Sequence, residues 1–282
     1  MELDIDHLKQ WIGRTEFQQD FAAATPVRAL AATLDRDDPA PQRGAAVPPC
    51  WHWLYFLPVH RQSEIGPDGH AKRGGFLPPV PLPRRMWAGS QIEFKRWLEI
   101  GSAITRTSRI DDVSIKHGKT GPLVFVRVRH EIGDDAGVAI VDNHDIVYRD
   151  NPNPDDRPPP AQMAPTDSDW TRTIVPDDVL LFRYSALTFN GHRIHYDRRY
   201  VTDVEGYPGL VVHGPLLATL LLDLLHCNVP DATVARFAFR AMKPTFDTAP
   251  FHVCGRRDGT SIHLWAKHVD GALAMDATAT LA

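Results

Sequence analysis

The chain has few cysteines, and their spacing does not suggest a disulfide framework. Only three of its 282 residues are cysteine, and none forms a CxxC pair. An odd, scattered set is typical of proteins from a reducing compartment. We therefore expect no disulfides and three thiols that act as small core side chains: Cys50, Cys227 and Cys254.

Long apolar runs and a strong net charge are also lacking. The longest mostly apolar run, Leu216 to Leu225, is far short of the roughly 20 residues that a membrane helix needs. The acidic N-terminal segment lacks the apolar stretch of a signal peptide. A net charge of −4 gives no overall basicity for nucleic acid, although a local basic patch would not show in the sum. These absences predict a soluble, cytoplasmic protein that binds neither membrane nor nucleic acid.

Several signatures of common active sites are missing as well. The sequence has no glycine-rich phosphate loop and no serine nucleophile elbow. Its 14 histidines include no HExxH motif and no other spacing typical of metal ligands. We therefore expect neither a metal ion nor a redox cofactor.

Proline is abundant, with 24 residues, and one proline-rich segment divides the chain. Residues 150–169, DNPNPDDRPPPAQMAPTDSD, are acidic and lack apolar periodicity, which is typical of an extended linker. The sequence therefore predicts an N-terminal domain over 1–149 and a C-terminal domain over 170–282.

The C-terminal part has the pattern of one buried helix followed by an antiparallel sheet. Pro215 suits the first turn of a helix that ends near His226 and is apolar on nearly all sides, so it must be covered. Asp-Gly pairs separate the last three of the runs that follow and predict hairpins. The predicted strands are residues 233–242, 251–257, 261–269 and 272–281.

The N-terminal part repeats this order, with a short helix from Pro26 to Leu34 and strands over 90–99, 103–116, 123–131 and 137–148. Residues 27–35 also align with residues 182–190, sharing Arg, Ala and Thr, which indicates a duplication. In that alignment Asp35 matches Asn190, and Ala40 matches His195. We therefore expect the N-terminal domain to be catalytically silent, with its insertion over 61–83 acting as a wall or lid.

The segment NGHRIHYD, from Asn190 to Asp197, is the best candidate for a functional site. It places an amide and the imidazole of His195 five residues apart in a polar turn. An imidazole near its ordinary pKa can take or return a proton near neutral pH, although a single histidine is more often structural. Downstream, Gly214 opens the apolar helix, where its N–H and the helix dipole can stabilise a developing anion or merely cap the helix.

These residues resemble the signature of the MaoC-like enoyl-CoA hydratases, an Asp-x-Asn-Pro-x-His run followed by a His-Gly turn on a hotdog fold. The chain departs from that signature at Asn190, His192 and Arg193. Residues 51–56 and 75–89 look like the double-hotdog branch that contains mesaconyl-CoA hydratases, itaconyl-CoA hydratases and type 2 3-hydroxyacyl-thioester dehydratases. The resemblance implies an α+β double hotdog, with two antiparallel sheets each wrapped around a central helix, and a possible homodimer.

The resemblance also implies roles for the site residues. Hydration of an enoyl thioester places hydroxide on the β-carbon and a proton on the α-carbon. His195 is then the base that activates water, and Asn190, which cannot titrate, orients that water. Asp197 or His192 is a candidate second proton carrier; the alternatives for Asp197 are to fix His195 or to pair with Arg198 or Arg199. Gly214 serves the oxyanion, and His213 orients the turn or touches the acyl group.

Binding residues are predicted from the charges that the substrate carries. A dicarboxylic acyl group needs a cation at its free carboxylate, for which arginine offers a bidentate grip. The candidates for this acyl-binding role are Arg193, Arg84 and Arg85, with Trp87 as a substrate wall or a core residue; Arg240 and Lys243 are candidates for the phosphates of coenzyme A.

Three hypotheses follow. The first is a lyase that reversibly hydrates a short, branched, dicarboxylic enoyl-CoA such as itaconyl-CoA or mesaconyl-CoA. The second is a 3-hydroxyacyl-[acyl carrier protein] dehydratase of fatty-acid synthesis, which a deep, wholly apolar acyl tunnel would favour. The third is a non-catalytic acyl-thioester binding protein or a thioesterase. An arginine at the end of the acyl tunnel favours the first.

Overall fold

The computed structural model describes residues 3–118, 121–151 and 160–282, which form one antiparallel sheet of ten strands with helices packed against it. The strands are β1 Thr15–Phe21, β2 Arg84–Phe94, β3 Ala103–Gly118, β4 Gly121–Asp134, β5 Gly137–Arg149, β6 Trp170–Ile174, β7 Val234–Ala241, β8 Phe251–Asp258, β9 Ser261–His268 and β10 Leu273–Leu281. The helices are α1 Ile5–Lys9, α2 Ala24–Thr33, α3 Asp178–Leu187, α4 Arg198–Asp203 and α5 Gly214–Asn228.

The sheet is built from two five-strand halves that meet edge to edge. Its order is β1-β3-β4-β5-β2-β7-β10-β9-β8-β6, so each half uses the same strand order, counted from its own outer edge. The halves join where β2 pairs antiparallel with β7, from Gly89 opposite Arg240 to Glu93 opposite Arg236. The two predicted sheets are therefore continuous with each other. The pairings also confirm the antiparallel hairpins that the Asp-Gly turns predict in the C-terminal half.

The long helix α5 lies against β6, β8, β9 and β10. Ten consecutive residues, Leu216 to Leu225, are buried, as expected for a helix that is apolar on nearly every side. Each buried leucine contributes roughly 1.5–3 kcal/mol. The one charged residue in this stretch is Asp223, which is buried and forms ion pairs with Arg36 at 3.1 Å and Arg172 at 2.6 Å. Arg36 belongs to the N-terminal half, so this buried charge ties the two halves together.

The N-terminal half is covered differently. Its helix α2 packs against α3 and against a 3₁₀ turn at Trp51–Leu54. Residues 51–56 then bury large apolar side chains in the same core as α5. The helix predicted for this half is therefore present but short, and irregular chain occupies most of residues 34–83.

Other elements escaped prediction because their sequences carry weak signals. β1 and β6 are edge strands with largely exposed residues and little apolar alternation. β2 begins at Arg84, directly after the insertion predicted over 61–83 and six residues before the strand predicted over 90–99. Residues 152–159 of the predicted linker lie outside the described residues. Nearby, Gln162 and Ala164 bond to the β9–β10 turn. No helix among the described residues is long and apolar enough to cross a membrane.

Candidate active site

A cavity of about 1630 Å³ lies between the two halves. Its wall includes residues 190–196, the first turn of α5, the N-terminal insertion and the inner face of the N-terminal strands. A cleft of this kind between two packed units is a common location for a ligand site. The segment 190–197, called here the 190–197 loop, contributes the central part of the wall.

A row of four imidazoles crosses this wall. His195 stacks on His213 with ring centroids 3.7 Å apart and an interplanar angle of 17°. On its other side lies His192, edge-on at 5.4 Å. His192 in turn lies 4.0 Å from His70, which comes from the N-terminal insertion. The structure thus brings together three predicted site histidines and adds a fourth from the other half.

The ring of His195 is held in its neutral form. Its Nδ1 lies 2.7 Å from the backbone oxygen of Val211, so Nδ1–H donates to that oxygen and Nε2 keeps its lone pair. Burial lowers the pKa of His195 to about 4, which keeps the ring unprotonated near neutral pH. The backbone fixes its position, because Val211 N–H also bonds to the oxygen of Ile194.

Asn190 follows the C-terminal end of α3, where Phe189 has a left-handed φ of 50°. Its side-chain Oδ1 accepts a hydrogen bond of 3.0 Å from the backbone N–H of His192. The oxygen is therefore engaged within its own turn, and the remaining polar group of the side chain is the Nδ2 donor. Asn190 lines the cavity, so it can donate to a substrate oxygen or to water.

Gly214 and His213 form the start of α5. Gly214 lines the cavity, and a Cβ added there would meet no other atom within 4 Å, so a ligand can approach the backbone closely. His213 is fully buried behind the wall, with Nε2 2.8 Å from Ser185 Oγ. His213 therefore supports the ring of His195 from behind, whereas Gly214 faces the cavity.

Asp197 does not contact His195, whose orientation comes from Val211 instead. Its carboxylate caps α4 by accepting from Tyr200 N–H at 3.0 Å, and it pairs with Arg193 at 2.7 Å. Arg193 also donates to the oxygen of Pro67. The predicted pairing of Asp197 with Arg198 or Arg199 is therefore wrong: Arg198 pairs with Asp178 and Asp247, Arg199 pairs with Asp203, and the partner of Asp197 is Arg193.

The other predicted binding residues fall into two groups. Arg84 and Arg240 lie outside the cavity lining; Arg84 is held by Tyr207 and Glu205. Arg85, Trp87 and Lys243 all line the cavity. Trp87 packs against His144 with ring centroids 4.2 Å apart, and it donates a hydrogen bond to the oxygen of Gly89, so it is both a wall residue and a packing residue.

The sequence reasoning missed a buried polar group on the N-terminal side of the cavity. Asp142 is 1% exposed and accepts from Trp53, His52 and His144 at 3.0, 3.2 and 2.8 Å. Burial acts to raise the pKa of Asp142, but His144 and His52 hold it well below its ordinary value. An Asp-x-His spacing is the available signal, because residues two apart on a strand share a face.

Asp68 and His70 show the same spacing and were also missed. Together with His192 they offer possible metal-ligand atoms within 4.8 Å of one another. Two imidazoles bound to one zinc ion at 2.0–2.1 Å hold their ring centres about 5 Å apart, whereas the rings of His70 and His192 lie 4.0 Å apart at an interplanar angle of 41°. The two rings are thus in direct contact, and the predicted absence of a metal stays a prediction.

Comparisons with known proteins identify the family. The model for hydroxyacyl-thioester dehydratase type 2 matches residues 50–247. The chain is 48% identical to a mesaconyl-C(4)-CoA hydratase from Chloroflexus aurantiacus over 271 residues, covering 96% of each. It is 26% identical over 277 residues to the mitochondrial hydroxyacyl-thioester dehydratase type 2 of Schizosaccharomyces pombe, covering 88% of this chain and 91% of the other.

The fold is shared with a solved Mycobacterium tuberculosis protein described as a double hotdog, with a TM-score of 0.58, 12% identity and 96% of each chain covered. The predicted α+β double hotdog and the predicted enzyme class are thereby confirmed. The chain belongs to the hydroxyacyl-thioester dehydratase type 2 family of MaoC-like hotdog enzymes, and it is a hydro-lyase of the hydratase and dehydratase type.

Proposed function

We propose that this enzyme reversibly adds water to an α,β-unsaturated acyl-CoA thioester whose acyl group is short, branched and dicarboxylic, of the mesaconyl- or itaconyl-CoA type. The observation that carries the proposal is the neutral His195, fixed by Val211, in one cavity wall with the start of α5. The mesaconyl-C(4)-CoA hydratase relative supports the choice of acyl group.

In the proposed reaction, His195 Nε2 removes a proton from water while the water oxygen bonds to the β-carbon. The electrons of the double bond then move toward the thioester carbonyl and give an enolate-like state. The proton on His195 is afterwards delivered to the α-carbon, so His195 returns to its neutral form. A positioned general base of this kind contributes typically about 10²–10⁴-fold to the rate.

The negative charge that builds up on the thioester oxygen needs donors that are already in place. The open backbone at Gly214 and the positive end of the α5 dipole meet that need. The Nδ2 amide of Asn190 is a second hydrogen-bond donor that can stabilise this negative charge. Loss of one such donor typically costs about 2.7–4 kcal/mol of transition-state stabilisation.

The charge of the cavity wall supports a dicarboxylic substrate. Arg85 lines the cavity, and its charge acts on the neighbouring rings of His70 and His192. A guanidinium in the same cavity wall as these imidazoles suits the free carboxylate of a short acyl group. Fatty-acid synthesis would instead favour a wholly apolar tunnel, and the wall here also contains Asp142 and Arg106. Lys243 is the remaining predicted candidate for coenzyme A phosphates.

A panel of enoyl-CoA thioesters tests the proposal. Loss of the conjugated thioester absorbance is followed with mesaconyl-CoA, with a short monocarboxylic enoyl-CoA and with a long-chain enoyl-CoA. We expect the dicarboxylic thioester to have the highest kcat/KM. Arg85→Met should lower that value selectively, with Arg85→Lys restoring part of it. Preference for the long chain, or release of free coenzyme A thiol without hydration, would contradict the proposal. Acyl carrier protein as a carrier and a homodimer stay predictions.

A further inference from the structure

The proposed hydration lacks one group when only the predicted residues are considered. The attacking water has two O–H bonds and must be held with one of them directed at His195. The second needs an acceptor, for which the related signature supplies an aspartate where this chain has Asn190. Here the Asn190 oxygen is occupied by His192 N–H, so the amide offers donors instead. The required acceptor must come from another residue.

His70 has the geometry of such an acceptor. Its Nδ1 lies 3.1 Å from Asp68 Oδ2, and its backbone N–H donates to the other oxygen of Asp68 at 3.0 Å. A carboxylate bonded to Nδ1 fixes the tautomer and leaves the lone pair on Nε2, the same relation that orients the histidine of an Asp-His pair in hydrolases. His70 lines the cavity beside His192.

Backbone contacts fix the position of His70 relative to the 190–197 loop. His70 lies in a short hairpin of residues 64–72, called here the lid hairpin, closed by Lys72 N–H to the oxygen of Glu64 at 2.8 Å. The hairpin docks through Arg193 N–H to the oxygen of Asp68 at 2.9 Å. At the contact, a Cβ on Gly69 would lie 1.8 Å from the oxygen of Gly191, so the two backbones touch directly.

The other candidates fit the role less well. His192 contacts the rings of both His70 and His195, but among the described residues no carboxylate bonds to its ring. Asp197 is committed to α4 and Arg193. His213 is buried behind His195. His52 and His144 also line the cavity and bond to a carboxylate, that of Asp142. Among the four imidazoles in contact around His195, however, His70 is the one whose ring is bonded to a carboxylate.

We propose that His70, oriented by Asp68, is the second acceptor that holds the nucleophilic water, so that the N-terminal half contributes a residue to the active site. This inference rests on the proposed hydratase function. One water O–H points at His195 Nε2 and the other at His70 Nε2. The C–O bond forms, the first proton passes to His195 and then to the α-carbon, and the second stays in the product hydroxyl. His70 therefore ends the cycle unchanged, and no further reactant is needed.

The test compares variants of the full-length enzyme on the best thioester from the panel. His70→Ala should lower kcat about 100-fold, with KM changed less than about threefold, because the water rather than the thioester loses its contact. His70→Gln, whose amide oxygen can still accept a hydrogen bond, should recover part of this loss. Asp68→Asn should lower kcat about tenfold, as expected when the group that orients a reacting residue is weakened. His117→Ala, at an exposed histidine of β3, is the matched control.

Two measurements separate a role in the reaction from a role in folding. Binding of a saturated dicarboxylic acyl-CoA, measured by calorimetry, should be unchanged in His70→Gln, and thermal unfolding should match that of the parent. The inference is overturned if both His70 variants keep the parental kcat, or if kcat and analogue binding fall together. An inactive parent on the whole panel would instead reject the proposed function. An active parent with indifferent His70 variants rejects only the role of His70.

Discussion

The two halves of this enzyme share one sheet but differ in the elements that pack against it. Both use the same strand order from edge to seam. In the C-terminal half, α3 is followed by the 190–197 loop and by the long buried helix α5. In the N-terminal half, α2 is followed by irregular chain that includes the Trp51–Leu54 turn and the lid hairpin. Equivalent strands therefore support a helix in one half and a cavity wall in the other.

The sequence repeat clarifies which parts correspond. Residues 27–35 and 182–190 lie at the C-terminal ends of α2 and α3, and each helix is followed by a left-handed residue, Asp35 at φ 55° and Phe189 at φ 50°. The structural correspondence is therefore shifted by one position from the sequence alignment, which matches Asp35 to Asn190. The counterpart of α2 is thus α3, not the central helix α5. After this shared element the halves diverge: one presents His195, and the other places Ala40 at the aligned position. A duplicated half that loses its base can still supply walls, charges and, as proposed here, His70.

The largest effect should come from removing the base of the C-terminal half. We expect His195→Ala to lower kcat by about 10²–10⁴-fold, because the remaining groups cannot take the proton from water. The measurement is the rate of absorbance loss with the best thioester. The matched change in the other half is Ala40→Gly, which should leave kcat within about twofold. Equal losses in the two variants would break the assignment of chemistry to one half.

The next effect concerns the helices that fill the two halves. Leu221 in α5 is fully buried, and Leu30 in α2 is 1% exposed. Replacing either by alanine removes apolar contacts and leaves a cavity, which typically costs about 2–5 kcal/mol. We expect Leu221→Ala to be the more costly, because α5 is enclosed on nearly all sides and its surroundings cannot collapse. Urea unfolding of both variants measures the difference, and a larger loss for Leu30→Ala would reverse this interpretation.

A smaller effect tests how the N-terminal half reaches the active site. Gly69→Ala should push the lid hairpin away from Gly191, since the new Cβ would overlap the backbone oxygen there. A misplacement of about 1 Å can cost up to roughly 100-fold in rate, and we expect a decrease in kcat of about tenfold or more. Gly74→Ala is the control, because its φ of +91° resembles the +88° of Gly69 but its nearest neighbour lies 3.9 Å away.

Both variants carry the backbone strain of an alanine at positive φ, about 1–2 kcal/mol, and Gly69→Ala adds the overlap with Gly191. Gly69→Ala should therefore unfold at the lower temperature, and it alone should lose kcat when both variants are assayed well below their unfolding temperatures. If the two variants lose activity equally, the contact between the lid hairpin and the 190–197 loop has no role in catalysis.

Much of this fold could be predicted, for identifiable reasons. Because its many leucines leave α5 without a polar face, the sequence predicted that this helix is buried. The Asp-Gly turns predicted the boundaries of β8, β9 and β10. The edge strands β1 and β6 were missed because their exposed polar residues carry little periodic signal. The α3 helix was contained in the repeat alignment, but its apolar residues are spread around its axis, and its helical character was not recognised.

The candidate site was predictable where its residues are adjacent in sequence. The segment from Asn190 to Asp197 carries its own motif, and the structure gathers Asn190, His192 and His195 in the cavity wall. What sequence could not supply were contacts between distant segments. His70 reaches this wall from more than 100 positions upstream in the sequence, through a backbone contact that depends on two glycines. The charge pairing of Asp197 was predicted with the wrong partner, because its sequence neighbours Arg198 and Arg199 were considered, whereas the turn over residues 193–195 brings Arg193 to it.

The smallest predicted effect compares the buried histidines of the two halves. Burial lowers the pKa of His195 to about 4 and that of His130, in β4, well below its ordinary value. An unfolded histidine has a pKa near 6.5, so between that pH and the folded value only the unfolded chain binds the proton. Stability is therefore complete above about pH 7 and is lost as the pH falls. Between pH 7 and 5.5 we expect each ring to contribute about 1 kcal/mol of this loss. Urea unfolding at both pH values should show a smaller decrease in His195→Gln and in His130→Gln than in the parent. If only one of the two substitutions makes the loss of stability between pH 7 and 5.5 smaller, the two halves do not bury their histidines alike.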